Sequence, residues 1–145
     1  MRPFLIAGLM MAVAFGGARA QDLTNGTAAS SPAHRSVLNA ARAKAQQQLG
    51  KRVRFDIKQF QVIGEWAFLH AGMLDPNGQP ISYAGTRFED ADRHGQKSSN
   101  YDALLKHESG RWTVRVDSVG ATDVPWTGWS HDYGAPAKLF DDTAH

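Results

Sequence analysis

Residues 53–74 read VRFDIKQFQVIGEWAFLHAGML, and this stretch decides the fold. Val53, Phe55 and Ile57 alternate with Arg54, Asp56 and Lys58, the period of two expected of a strand with one dry face. The phase then breaks, because the next large apolar residues, Phe60 and Val62, sit at even positions. A one-residue slip turns every later side chain to the opposite face, so the sequence predicts a bulge near Lys58–Gln59. Ile63-Gly64-Glu65 reads as a tight turn, with a second strand from Trp66 to about residue 72. On that strand Trp66, Phe68 and His70 share one face, and Ala67, Leu69 and Ala71 share the other. Both faces are largely apolar, which places the strand inside a sheet rather than at its edge. The small residues admit a close helix. The aromatic face requires a second layer or a partner.

Outward from this stretch, the chain of 145 residues suits one domain, with 42% hydrophobic content. Residues 1–20 have the pattern of a secretory signal: Arg2, an apolar run from Phe4 to Phe15, and Ala18-Arg19-Ala20 before Gln21. The run is too short to span a bilayer as a mature helix, and no later stretch is long enough. The expected location is therefore the periplasm or the exterior of a bacterial cell. Removing Arg2 and Arg19 with the signal lowers the basic residues from 16 to 14, equal to the 14 acidic ones. The basicity of the whole chain thus belongs to the export signal, and it does not point to nucleic acid. The chain has no cysteine, which excludes disulfides, a thiol nucleophile and thiolate metal sites.

Residues 21–30 are polar and read as a mobile leader, in which Asn25-Gly26-Thr27 matches the glycosylation pattern by coincidence in a bacterial host. A single domain then fills 31–145. Ser31-Pro32 opens a helix and Gly50 closes it, with Val37, Leu38, Ala41, Ala45 and Leu49 as its apolar stripe. Asp75-Pro76-Asn77-Gly78 is a turn. ISYAGTRF, 81–88, has the composition of a short strand, and EDADRHGQKSSN, 89–100, that of an exposed loop. YDALLKH, 101–107, and Trp112 to Val119 form a hairpin around Glu108-Ser109-Gly110-Arg111. In the return strand Trp112, Val114 and Val116 point inward. The tail from Gly120 has no period but carries Trp126, Trp129, Tyr133 and Phe140, so it packs over a sheet face. The predicted fold is α+β: one N-terminal helix on an antiparallel sheet of four to five strands, with an irregular aromatic C-terminal tail. By element order alone it is similar to cystatin-like and NTF2-like arrangements, an analogy that carries no function.

Three segments resemble a group of small exported bacterial proteins of unassigned function. They are a G-x-W-A-F strand at Gly64, Trp66, Ala67 and Phe68; a Y-x-A-L-L to G-x-W-x-V hairpin from Tyr101 through Gly110 to Val114; and a G-x-T-D-V-x-W end at Gly120, Thr122, Asp123, Val124 and Trp126. The resemblance implies a secreted α+β domain and supplies no catalytic residue.

No H-E-x-x-H, G-x-S-x-G, P-loop or G-x-G-x-x-G is present, so no cofactor or metal is expected. Thr122-Asp123 is the leading polar cluster, either as a turn that pins the tail or as a carboxylate at a pocket mouth. His70 and His107 each lie at or near the end of a predicted strand, and if those strands are neighbours the imidazoles would meet, to bind a metal or shuttle a proton, whereas unpaired strand-end histidines are the commoner case. His94, His131 and His145 read as solvated. Asp56 and Asp117 lie on polar faces beside Arg54, Lys58 and Arg115, where cross-strand ion pairs of under ~1 kcal/mol account for them. Trp66 and Trp112 are in phase with core aliphatics, whereas Trp126, Trp129 and Tyr133 are the candidate ligand contacts. The preferred reading is a non-catalytic binding protein for a periplasmic protein, glycan or lipid. The alternative is a small NTF2-like enzyme in which Asp123 pairs with His70 or His107 in a sheet pocket.

Overall fold

The computed structural model describes residues 31–142; the stretches read as signal (1–20) and leader (21–30), with the glycosylation pattern in the latter, and His145 lie outside them. Helix α1 (Pro32–Leu49) starts where Ser31 Oγ accepts the His34 N–H at 3.1 Å. It stops at Gly50, whose left-handed φ of 65° lets its N–H reach the Gln46 carbonyl at 2.8 Å. Its buried residues are Val37, Leu38, Ala41, Ala45 and Leu49, the stripe read from the sequence.

Four strands follow, β1 (Arg54–Ile63), β2 (Trp66–Leu74), β3 (Asn100–Glu108) and β4 (Arg111–Val119), paired as an antiparallel sheet in the order β1-β2-β3-β4. The fold is therefore α+β. Ile57 pairs with Ala71 and Gln59 with His70, so Lys58 is the extra residue of a bulge, as the phase break requires. Strand β2 lies between β1 and β3 and is dry on both sides: Ala67, Phe68, Leu69, Ala71 and Met73 are all fully buried. One side of the sheet packs under α1 through Ala67, Leu69, Ala71, Ala103 and Leu105. Alanines on both helix and sheet let the backbones approach closely. On the same side Phe55 stacks on Tyr101, ring centres 5.4 Å apart.

The other side carries a separate core of Phe68, Leu104, Trp129, Ala135 and Leu139, with Trp66, Val116, Trp126 and Phe140 at its margin. Here the tail forms α3 (Trp129–Tyr133) and a 3-10 turn (Ala137–Phe140) laid against β1 and β2. Gln59 Nε2 fastens this turn by donating to the Asp141 carbonyl at 2.9 Å.

Three expectations need correction. Leu104 pairs with Val116 but Leu105 with Val114, so β4 has a bulge at Arg115. Trp112 and Val114 face the helix, whereas Val116 joins the tail-side core. A strict alternation reads the same in either phase and hides the extra residue. Next, 81–88 forms turns rather than a fifth strand, joined to the end of the sheet by the Leu74–Pro80 bridge and by the Ile81 N–H, which donates to the Met73 carbonyl at 3.0 Å. Ile81 and Tyr83 are still buried, and the Tyr83 hydroxyl donates to the Ser98 carbonyl at 2.5 Å. Finally, the charged segment expected as loop begins with a short helix, α2 (Glu89–Arg93), held by an i,i+4 ion pair between its first and last residues at 2.7 Å.

Gly120 sits where β4 meets the tail, with φ 72°. A Cβ there would lie 2.6 Å from Tyr83 Oη and 2.9 Å from the Ser98 carbonyl oxygen. Gly64 also has positive φ, but its Cβ position meets nothing within 4 Å. Gly120→Ala is therefore expected to cost about 2 kcal/mol or more, and Gly64→Ala only the ~1 kcal/mol of the left-handed backbone. Urea denaturation of the two variants checks the difference; equal losses would contradict the contact at Gly120.

Candidate functional site

The apolar half of the tail-side face is covered by α3 and the 3-10 turn. The other half is polar and builds the candidate site. Antiparallel pairing of β2 and β3 sets His70 directly opposite Asp102. Both point to the tail side, and His70 Nδ1 lies 2.5 Å from Asp102 Oδ1. Among the described residues Asp102 is the one buried charged side chain, at 1% exposure, while the His70 side chain keeps 20%. The Trp126 ring covers the imidazole at 5.0 Å between centres and also touches Phe68 at 5.1 Å. Beyond the dyad, Lys58 Nζ donates to Asn100 Oδ1 at 2.8 Å. Gly72 pairs with Asp56 on one side and Asn100 on the other, and the Lys58 stem lies over it, 3.8 Å from where a Cβ would stand.

Burial pushes the Asp102 carboxyl above its ordinary value, while the His70 hydrogen bond and the charges of His70 and Lys58 pull the other way. Its Oδ2 is buried and has no hydrogen-bond partner. The hydrogen bond places a proton between Nδ1 and Oδ1, and the tautomer of His70 sets which atom donates it. When the proton is on the imidazole, Nδ1 is the donor and Nε2 is left as the free base. Such a pair can orient an imidazole, accept a proton, or offer a polar contact beside an aromatic ring.

Asp123 is exposed, as is Thr122, and neither lines a pocket mouth beside a histidine. His107 faces the helix side near the far end of β3, exposed, with its ring 5.1 Å from Trp112. His70 and His107 are on adjoining strands but opposite faces, so they do not meet, and the carboxylate that pairs with His70 is Asp102. The signal for Asp102 was available in YDALLKH: one Asp inside an apolar run is rarely buried without a partner. Asp117 is not ion-paired with Arg115, which instead bonds Glu108. Asp117 accepts from the Tyr101 hydroxyl at 2.8 Å and from Gln48, and burial together with Asp117 raises the Tyr101 pKa. Of the three candidate ligand contacts, Trp129 is core at 6% exposure, Trp126 is half-buried over the dyad, and Tyr133 is 41% exposed. Among the described residues no three His, Asp or Glu side chains converge as metal ligands, and no helix is long and apolar enough to cross a membrane.

Four open grooves of about 390 to 680 Å³ border α1 and the strands or loops beside it, and none of the four is lined by His70, Asp102 or Trp126. Comparison with protein-family models, curated proteins and solved structures gives no match.

The raised Asp102 pKa has a sign that can be tested. The folded state holds this proton more tightly than the unfolded chain, whose carboxyl titrates near 3.8. The group's contribution to stability is complete below that value and is lost as pH rises through the higher folded pKa. Asp102→Asn cannot titrate. The melting temperature of the native protein minus that of the variant should therefore fall as pH rises above the unfolded value of 3.8. A constant or rising difference would show that burial does not govern this carboxyl.

Proposed function

We propose that the protein is an exported, non-catalytic binding domain whose contact surface is the tail-side face around Trp126. The observation that carries this reading is the setting of Trp126. Its ring is partly exposed yet held from beneath by Phe68 and His70. A rigid aromatic beside fixed polar groups forms contacts at little cost in side-chain freedom. The signal pattern of residues 1–20 and the likeness to small exported bacterial proteins support a periplasmic or secreted location. The partner classes that fit an aromatic with polar neighbours are a periplasmic protein, a glycan or a lipid.

A second reading is an acid–base enzyme. The short His70–Asp102 contact favours it, with His70 Nε2 as base and Asp102 as the positioning carboxylate. It differs from the Asp123 arrangement expected from the sequence.

Two tryptophan variants separate binding from folding. Trp129→Ala removes a buried ring from the tail-side core and should cost about 3 kcal/mol or more. Trp126→Ala removes a half-buried ring and should leave a folded domain that no longer captures its partner from a Gram-negative periplasmic extract. Unaltered capture by Trp126→Ala would remove this face as the contact surface. Turnover in a substrate screen that His70→Ala abolishes would favour the enzyme.

A further inference from the structure

Strand β4 is the last strand of the sheet and has no strand on its outer side. Its residues 111–114 run regularly before the bulge at Arg115. Two of the grooves, of about 530 and 680 Å³, share Arg111 and Trp112 and so run together along this edge. One wall is the flank of α1, where Ala33, Ser36, Ala40 and Ala43 are short enough to leave room. The other wall is β4, with Trp112 and Val114 only partly buried. Lys44 stands on the α1 wall and Arg111 at the strand edge shared by both grooves, and no Asp or Glu lines either groove. Neither cation has an ion-pair partner among the described residues. The opposite edge is different: β1 is bulged at Lys58, and the 3-10 turn is fastened beside it through Gln59.

We propose that the outer edge of β4, with the α1 flank, binds an extended acidic segment of a partner protein as an added strand. Every second residue of an edge strand presents its N–H and C=O outward, and an extended peptide satisfies both. Side chains of the added strand alternate between faces. Those beside Trp112 and Val114 enter the apolar groove under α1. Those beside Arg111 and Thr113 lie on the opposite face, where Glu108 is the cross-strand neighbour of Arg111 and is already bonded by Lys106 and Arg115, so that cations outnumber carboxylates and an added carboxylate meets Arg111. The segment that fits therefore alternates apolar and acidic residues. This surface is separate from the Trp126 face, so the two proposals fail independently.

The test uses the full chain as purified after export, with a fluorescent peptide of about six residues alternating valine and glutamate. Anisotropy should show saturable binding that weakens with salt. Binding should weaken about tenfold in Lys44→Gln/Arg111→Gln, whose sites are exposed and whose melting curve should be unchanged. It should vanish when alternate peptide amides are N-methylated, and it should persist in Trp126→Ala. No binding at millimolar peptide, equal binding of a valine–lysine peptide, an unaffected double variant, or full binding of the methylated peptide would each overturn the proposal. So would sedimentation showing that β4 pairs with a second copy of the chain and that this dimer excludes the peptide.

Discussion

Strand β2 must be dry on both of its faces, and the rest of the structure follows from that constraint. Five of its residues from Ala67 to Met73 are fully buried, drawn from both sides of the pleat. A strand of this kind is stable only inside a sheet with a layer over each face. On one side α1 supplies the layer, with alanines that meet the alanines of β2 and β3. On the other no second long helix exists among the described residues, so the layer is built from a short helix, a 3-10 turn and the three rings of Trp126, Trp129 and Phe140. Burying a ring such as Phe68 is worth about 2 kcal/mol, which explains how a segment with little regular structure stays in place.

The tail covers only the apolar half of its face, and this division creates the site. Where Phe68 gives way to His70, and Leu104 to Asp102, the face turns polar over one step of the pleat. Trp126 sits on the boundary, touching Phe68 on one side and His70 on the other. Asp102 lies under this boundary, deep enough for desolvation to raise its pKa and close enough to His70 for a short hydrogen bond. A single buried carboxylate with one satisfied oxygen is costly to stability. It lies beside a partly exposed imidazole and an indole, within the surface proposed above for binding.

Much of this was legible in the order of residues. The phase break at Lys58 named the bulge, the caps at Ser31 and Gly50 bounded α1, and the opposite faces of Trp66–Phe68 and Ala67–Leu69 required two layers. The dyad was hidden for a definite reason. The connection between β2 and β3 is long, so it does not fix their register, and only the register brings His70 opposite Asp102. Asp123 looked the better carboxylate because turn chemistry surrounds it, yet it is exposed. Likewise, nothing in the spacing of Trp126 and Trp129 said which ring would be core. That was decided by the turn at Gly128, which starts α3 and directs Trp129 inward.

Native-state hydrogen exchange reads the central claim residue by residue. If β2 is the strand on which both layers depend, the amides of residues 67–71 exchange only through global unfolding, together with their partners at 101–105. Release of those amides at a lower free energy than α1, or loss of their protection while the helix keeps its own, would contradict the account.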